Sequence, residues 1–276
     1  MILLDDWLPQ TYKLDRKDIE IRPLHREDYV RVPIYTARWL PREVFERTVF
    51  SAHGYASFLQ QNAGVPLRCQ NDRFHGFYQS GQLQGFSEWK LRGTTVVLNN
   101  FFLNDAIRCL GVGSTYLQEM LLHFSKSGIS HVSLDVFTWN QGARRFYERL
   151  GFDSEHISGW YELELEDAAS FEVDSYDYNG IRMMNWAEAK AMNQCYGLGS
   201  FTLQGAFGEE AVGLLKDQYY RLRGEALRVK QVVLALQQLG EERKVLITDG
   251  NPHCTSTAMK LVNESLRMRR TLTSAN

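Results

Sequence analysis

The spacing of apolar positions predicts a short strand followed by a helical, aromatic-rich region at the start of the chain. Ile19 and Ile21 alternate with charged residues, which is the period of a half-buried strand. From Glu27 to Gln61 the chain has helical tendencies and carries many aromatic side chains. We therefore expect one strand and then mainly helix up to Gln61.

The clearest strand signal in the chain follows this region. Three strand-like runs are joined by two turn pairs, Ser80-Gly81 and Arg92-Gly93. Two tight connections in succession are typical of an antiparallel meander. The predicted strands cover residues 74–79, 82–90 and 94–103.

The period then changes to that of a helix. Leu117, Leu121 and Phe124 recur at helical spacing, and Gly128 marks the stop. An alternating strand and a second helix follow, and Gly151 ends that helix. The predicted elements are a helix at 114–127, a strand at 132–136, a helix at 143–150, a strand at 160–165 and an acidic linker at 166–170.

The last third of the chain repeats this order of elements. Strand, R-x-x-G, helix, strand, Asn-containing turn and helix occur twice, which is a weak internal repeat. We therefore predict a two-domain α/β (α+β) protein with domains at 18–166 and 171–276. The elements predicted in the second domain are strands at 212–215 and 219–222, a helix at 226–236, a strand at 244–248, a turn at 249–252 and a helix at 256–268.

Composition and charge narrow the class of protein. The 276 residues are 44% hydrophobic and 23% charged, which is typical of globular proteins. With 31 basic and 33 acidic residues the formal net charge is -2, so we expect no general affinity for nucleic acid or acidic membranes. No stretch approaches the ~20 apolar residues of a membrane span, and residues 1–10 carry no signal-peptide pattern. We therefore expect a cytoplasmic protein.

The four cysteines do not indicate a metal site or a disulfide framework. Cys69, Cys109, Cys195 and Cys254 are far apart in sequence and form no C-x-x-C pair or Cys/His cluster. In a reducing compartment each is expected to behave as a small hydrophobic residue. We expect no metal cofactor.

The segment from Arg108 to Ser114 carries the strongest chemical signal. Its glycines, Gly111 and Gly113, lie between a predicted strand and an apolar-faced helix. Glycine lets backbone N–H groups approach an anion closely, and the helix N-terminus adds a positive dipole end. Such a loop suits a pyrophosphate, although a tight turn explains G-x-G before a helix equally well. The segment is neither a P-loop nor G-x-G-x-x-G.

The sequence after this loop extends the pattern. A helix and a strand are followed by Asn140, Ala143, Phe146-Tyr147 and Leu150-Gly151-Phe152. Together with R-x-x-G-x-G at 108–113, this order resembles the GNAT superfamily of acyl-CoA N-acyltransferases, and the resemblance covers residues 18–166. It implies the GNAT fold, a mixed and mostly antiparallel sheet flanked by helices, with the meander as its second to fourth strands.

The resemblance also implies how acyl-CoA, as cosubstrate, would be held. Backbone amides from Cys109 to Ser114 would bind the pyrophosphate. In the family the fourth strand splays from the fifth and pantetheine lies in the gap, which places residues 101–103 beside the acyl thioester. Asn140 would contact pantetheine, and Tyr147 would protonate the departing thiolate. The implied CoA-binding residues are Phe101, Phe102, Leu103, Arg108, Cys109, Leu110, Gly111, Val112, Gly113, Ser114, Asn140, Ala143, Phe146 and Tyr147.

Two of these side chains also have purely structural interpretations. Tyr147 lies on the apolar face of its predicted helix, and periodicity alone favours a core residue. A tyrosine with a pKa near ~10 nevertheless stays protonated at neutral pH and can donate to a thiolate. Asn140, just past a strand end, fits a turn residue equally well.

The general base is the least determined part of the site. Members of the family often place a carboxylate on the fourth strand or use water relayed to one, whereas this strand carries amides at Asn99 and Asn100. Glu88 on the preceding strand and Asp135 on the fifth are candidate carboxylates, and each is also explained as a solvated or structural group. Asn99 is a candidate for orienting a water. The catalytic candidates are Tyr147, Glu88 and Asn99.

These patterns predict transfer of an acetyl group, from acetyl-CoA or another acyl-CoA, to a small-molecule or peptide amine. The reaction would be direct attack in a ternary complex. The alternative is a CoA-binding regulatory or scaffold protein without transfer activity, which the missing strand carboxylate supports. Trp39, Phe45, Phe50 and Tyr55 fall where the family builds its acceptor pocket. Whether the protein forms a homodimer is left open.

Residues 171–276 resemble a second, degenerate GNAT-like unit without catalysis. Residues 221–226 fit R-x-x-G-x-A, but Glu225 puts a carboxylate where phosphates should bind, and no tyrosine stands where Tyr147 does. Only eight residues follow Met268, too few for two closing strands. A sheet left open in this way exposes unpaired backbone, so we expect it to pack against the first domain or a second chain. An unrelated α/β tail with a chance R-x-x-G turn is the alternative.

Overall fold

The computed structural model describes most of the chain, and the chain divides into two compact units. The first unit consists of Met1–Arg38, Leu59–Glu155 and Leu266–Asn276, and the second of Trp39–Phe58 and His156–Ser265. The units interleave along the sequence, whereas the domains predicted above divide it at a single point. The residues described are 8, 12–14, 18–66, 70, 72–166, 180–205, 207–223, 226–239, 242–249 and 259–273.

Strands predominate over helices in the described residues. The strands are β1 (Tyr12–Leu14), β2 (Ile19–Pro23), β3 (Asp72–Gln79), β4 (Gln82–Arg92), β5 (Thr95–Leu103), β6 (His131–Phe137), β7 (Asp153–Glu164), β8 (Arg182–Met184), β9 (Leu198–Gly205), β10 (Gly208–Leu215), β11 (Tyr219–Arg223), β12 (Lys244–Asp249) and β13 (Lys260–Thr271). The helices are α1 (Arg31–Trp39), α2 (Arg42–Phe45), α3 (Tyr55–Asn62), α4 (Val112–Lys126), α5 (Gln141–Arg149), α6 (Trp186–Tyr196) and α7 (Ala226–Gln237). None of these helices is long and apolar enough to cross a membrane.

The sheet of the first unit runs in the order β1-β2-β3-β4-β5-β6-β13. Strands β1 to β5 pair antiparallel, and β5 pairs with β6 in parallel. The predicted meander is confirmed as β3–β4–β5. Its turn residues Ser80, Gly81 and Gly93 have φ of 50°, 75° and 60°, in the left-handed region that suits tight hairpin connections. The sheet is therefore mixed and mostly antiparallel, as predicted.

Helix α4 packs its apolar face into the core of the first unit. Tyr116 and Phe124 of α4 are fully enclosed beside Trp89 of β4, and the Trp89 and Phe124 rings meet edge to face at 5.1 Å. The Trp89 indole N–H donates to the Tyr116 hydroxyl at 2.7 Å, and Ser87 Oγ lies 2.6 Å from the same oxygen. Because these polar atoms find partners, the large aromatic rings can be buried without an unsatisfied donor.

The sheet of the second unit runs in the order β7-β12-β11-β10-β9-β8. Strands β11 and β12 are parallel, and the other pairs are antiparallel. Val232, Val233 and Leu236 of α7 are buried against one face of this sheet, together with Leu222 of β11. A strand, a helix and a parallel strand therefore follow one another as in the first unit.

The C-terminal segment contradicts one prediction. Residues 260–271 form β13, whereas the sequence pattern was interpreted as a helix at 256–268. Residues 256–258 lie outside the described residues. Buried Leu266 and Met268 are two residues apart and are separated by Arg267, which is the period of a strand. The helical interpretation overlooked this alternation.

The second sheet is closed by residues that the sequence analysis placed in the first domain, which is one of the two outcomes expected for its open edge. Strand β12 pairs antiparallel with residues 159–164 of β7 along its whole length. The closing strand therefore comes from residues that precede the predicted boundary of the second domain. The sequence analysis looked for closing strands only after Met268 and therefore did not find this pairing.

The two cysteines in the described part of the chain are exposed. Cys109 and Cys195 are exposed free thiols, whereas the sequence analysis expected small hydrophobic residues. Cys69 and Cys254 lie outside the described residues. Cys109 belongs to the loop before α4, and Cys195 lies near the end of α6.

Candidate acyl-CoA site

The parallel strands β5 and β6 separate part-way along their length. Their last paired residues are Leu98 of β5 and Leu134 of β6. Beyond them, residues 99–103 and 135–137 continue as strands but are not paired with each other. We call the space between these two stretches the strand gap. Its facing edges can pair with an extended ligand, as the edge of a sheet does.

A β-bulge at Asn99 explains why the strands separate. Glu88 of β4 pairs with Asn100, and Trp89 pairs with Leu98, so Asn99 is an extra residue in β5. An extra residue bends its strand and increases the local twist. Asn99 directly follows Leu98, the last residue of β5 that pairs with β6. The bend of β5 and the strand gap therefore begin at the same point.

The loop between β5 and α4 presents backbone N–H groups beside the open end of the strand gap. Cys109 and Gly111 have φ of 61° and 81°, both left-handed. The N–H of Thr115 donates to the Gly111 carbonyl at 3.0 Å, which is the first hydrogen bond of α4. The N–H groups of residues 112–114 therefore have no carbonyl partner within the helix. Together with the positive end of the helix dipole, they suit a pyrophosphate.

Arg108 and Gly113 hold this loop against the strand gap. The Arg108 guanidinium donates to the Leu103 carbonyl at 2.9 Å and pairs with Asp105 at 3.0 Å. A Cβ at Gly113 would lie 3.2 Å from Leu103 Cδ1 and 3.3 Å from the Phe101 ring. Arg108 therefore fixes the shape of the loop as well as carrying a positive charge, and the close approach of α4 to β5 favours glycine at position 113.

Asn140 begins helix α5. Its Oδ1 accepts the N–H of Ala143 at 3.1 Å, which caps the helix. Its Nδ2 makes no hydrogen bond with the described residues. The side chain therefore has a structural role through its oxygen and keeps an amide donor that a ligand can use.

Tyr147 of α5 lies in the core of the first unit with 8% of its surface exposed. Its ring packs edge to face on Phe146 and Phe152, with centroid distances of 5.2 Å and 5.8 Å. Its hydroxyl makes no hydrogen bond with the described residues. Burial raises the pKa of Tyr147 above the usual tyrosine value, so the hydroxyl carries its proton at neutral pH.

Side chains of β5 reach both faces of the sheet beside the strand gap. Phe101 stacks on Phe146 of α5 at 6.4 Å. Phe102 stacks on Tyr35 of α1 at 5.0 Å, on the opposite face, as the alternation of a strand requires. Glu88 lies on the α1 face, because it pairs with the residue two positions before Phe102. Helix α5 and the Glu88 carboxylate therefore lie on opposite faces.

Glu88 is a buried carboxylate with one unsatisfied oxygen. The residue is 1% exposed, and Oε1 lies 3.1 Å from Lys90 Nζ, while Oε2 is enclosed and has no hydrogen-bond partner among the described residues. Across the strand pair, Asn100 donates to Thr36 Oγ1 of α1 at 3.3 Å, and its Oδ1 is enclosed with no donor from the part of the chain that the structure describes. Two enclosed acceptors on neighbouring strands favour a ligand that carries N–H or O–H groups.

The other candidates for the base are placed differently. Both carboxylate oxygens of Asp135 accept from Arg267 of β13 at 2.7 Å, so this carboxylate is engaged in a bidentate pair. Asn99 is exposed at the bulge. The sequence analysis did not single out Asn100 as a site residue, and it missed Thr36. The available signal was a pair of asparagines inside an otherwise apolar strand.

Two further predictions concern metals and the acceptor pocket. Within the described part of the chain, no group of His, Cys, Asp and Glu side chains is arranged to hold a metal ion. Trp39, Phe45, Phe50 and Tyr55, predicted to line the acceptor pocket, belong to the second unit. In the first unit, Tyr35 of α1 packs on Phe102 beside the strand gap.

A parallel strand pair that separates beside a glycine-containing helix N-terminus is the arrangement that the resemblance to the GNAT superfamily implied. Residues 26–152 match the Acetyltransferase (GNAT) family, so this part of the chain is a GNAT domain. The match includes the bulge, the loop and all of α5. No curated protein sequence matches the chain significantly.

Solved structures share the fold over both units. A tandem GNAT protein from the clavulanic acid biosynthesis pathway is 12% identical, has a TM-score of 0.59, and covers 94% of this chain and 100% of its own. A GCN5-related N-acetyltransferase from Sphaerobacter thermophilus is 11% identical, has a TM-score of 0.58, and covers 94% of this chain and 97% of its own. Such low identities establish the fold only. The fold likeness covers both units, which is consistent with a second unit of GNAT-like fold.

Proposed function

We propose that the first unit transfers an acyl group, in the simplest case acetyl, from acyl-CoA to a small-molecule or peptide amine. The strand gap is the observation that carries this proposal. It begins at the bulge of Asn99 and opens toward the N–H groups of residues 112–114. A ligand with an extended amide-containing arm and a pyrophosphate fits these two features. Asn140 Nδ2 adds a donor for the arm.

Glu88 and Tyr147 lie on opposite faces of the sheet, which supports a mechanism in which one residue accepts a proton and the other donates one. Glu88, on the α1 face, accepts a proton from the acceptor amine, directly or through a water. The amine nitrogen attacks the thioester carbonyl carbon, so a C–N bond forms and the C–S bond breaks. Tyr147, on the α5 face, gives its proton to the departing thiolate. Asn100, which is opposite Glu88 in the strand pair, is held by its hydrogen bond to Thr36.

Glu88→Gln should lower kcat by about 10–100-fold and leave the Kd for acetyl-CoA unchanged. The amide keeps the shape of the side chain but cannot take the proton of the amine. Thiol release from acetyl-CoA measures kcat, and calorimetry measures Kd.

Asp72→Asn is the matched control for this substitution. Asp72 also pairs with Lys90, at 3.1 Å, but it is exposed and lies at the far end of β3. We expect its substitution to leave kcat unchanged. An equal loss of activity in both variants would contradict a base at Glu88, because the effect would then come from Lys90.

The second unit should not bind acyl-CoA in the same way. Strands β11 and β12 are paired along all of β11, from Tyr219 with Lys244 to Arg223 with Thr248, so there is no gap between them. Arg221, predicted to open a phosphate loop, lies inside β11. Glu225 lies outside the described residues. Calorimetry should therefore give one acetyl-CoA per chain, and two would contradict the loss of the second site.

A further inference from the structure

The face of the second sheet opposite α7 carries two arginines of one strand. Arg221 and Arg223 flank Leu222, which is buried toward α7, so both side chains start from the other face. Neither arginine makes a hydrogen bond or ion pair with another residue in the described part of the chain. Like charges so close together repel each other.

Arg221 is also partly withdrawn from water. Burial, and then the neighbouring charge of Arg223, lowers the pKa of Arg221 to about 10. A charge removed from water destabilises the fold unless an opposite charge or hydrogen-bond acceptors compensate it. The surroundings of Arg221 therefore favour an anion.

The nearest strand carboxylate on this face is already engaged. Glu162 of β7 accepts from Arg47 at 2.8 Å, from Lys244 at 3.2 Å and from the Tyr219 hydroxyl at 3.3 Å. These donors hold the pKa of Glu162 below its usual range despite its burial. Glu164 pairs with the same lysine at 2.5 Å. Both carboxylates thus have cations of their own.

Distance also separates Arg221 from these carboxylates. In the sheet register Arg221 lies opposite Leu246, and Leu246 lies opposite Glu162. Two strand spacings amount to about 9–10 Å. On its other side Arg221 lies opposite Gly213, which has no side chain to shield the guanidinium. The buried Tyr55 of α3 is close enough to favour the charged form of Arg221.

We propose that Arg221 and Arg223 bind a small molecule through an oxyanion, a carboxylate or a phosphate, on this face of the second unit. Guanidinium groups bind both kinds of oxyanion through paired N–H donors. The site would give the second unit a ligand of its own, although it has no strand gap. It is independent of the acyl-CoA site, which belongs to the first unit.

Thermal unfolding of the full chain in chloride, inorganic phosphate and succinate, at equal ionic strength, tests this proposal. We expect phosphate or succinate to raise the Tm of the wild type by about 2–4 °C relative to chloride. Arg221→Met should lose most of this increase. In chloride its Tm should be no lower than that of the wild type, because the substitution removes an uncompensated charge.

Arg182→Met is the matched control, because Arg182 is an exposed arginine of β8 in the same unit. It should keep the full increase. If Arg221→Met does not fold, Arg221→Lys, which keeps the charge but not the paired donors, should reduce the increase at least twofold. If the Tm rises in only one of the two anions, that result identifies the oxyanion as a phosphate or as a carboxylate. No increase in the wild type, the same increase in Arg221→Met, or an equal loss in Arg182→Met overturns the proposal.

Discussion

Gly113→Asp should abolish measurable binding of acetyl-CoA. The added Cβ would meet Leu103 at 3.2 Å and the Phe101 ring at 3.3 Å, and the carboxylate would place a negative charge beside the phosphates. Each lost charge-assisted hydrogen bond is worth about 1.5–3 kcal/mol, so the loss of several takes the affinity below detection. Isothermal calorimetry with acetyl-CoA measures the effect.

Two further variants separate the causes of this loss. Gly113→Ala adds the Cβ without the charge and should weaken binding less. Gly180→Asp adds the same carboxylate at an open position of the second unit, where a Cβ meets nothing within 4 Å, and should leave the affinity unchanged. Circular dichroism checks that each variant is folded. An unchanged affinity in folded Gly113→Asp would show that CoA binds elsewhere.

Tyr147→Phe should lower kcat on the order of 10–10³-fold with little change in the Kd for acetyl-CoA. The substitution keeps the packing against Phe146 and Phe152 and removes only the proton donor. Because burial raises the pKa of Tyr147, the wild-type rate should show no decline from this residue between pH 7 and the usual tyrosine pKa of ~10. Thiol release across this pH range measures both effects.

Tyr78→Phe is the control for loss of a buried tyrosine hydroxyl. The Tyr78 hydroxyl donates to Asp28 at 2.9 Å, so its removal should lower stability without changing kcat. Equal values of kcat for wild type and Tyr147→Phe would return Tyr147 to a role in core packing alone.

The parts of the fold that could be predicted from sequence depend on local signals. The meander follows from Ser80-Gly81 and Arg92-Gly93, because a tight turn forces adjacent strands to pair. The loop before α4 follows from its two glycines. Gly111 has the left-handed conformation that glycine adopts most easily, and Gly113 lies where α4 comes close to β5. The same signals mark the loop and the strands that form most of the proposed acyl-CoA site.

The remaining features depend on residues that are far apart in sequence. Asp135 is engaged by Arg267, 132 positions away, and Asn100 contacts Thr36, 64 positions away. No spacing rule connects such residues. The closing strand of the second sheet was missed for the same reason, because β7 precedes β12 by a long stretch of chain. The proposal that Glu88 is the base therefore depends on these long-range contacts, which the sequence does not show.

The claim that the first unit is an active acyltransferase is tested most directly by thiol release from acetyl-CoA with a panel of primary amines. We predict release that depends on an amine, with the acetylated amine identified by mass spectrometry, or slow hydrolysis of acetyl-CoA when no amine fits. Gly113→Asp should abolish both. Tight binding of acetyl-CoA without release above the Gly113→Asp background, with any amine or with water, would contradict the claim and favour a CoA-binding regulatory protein.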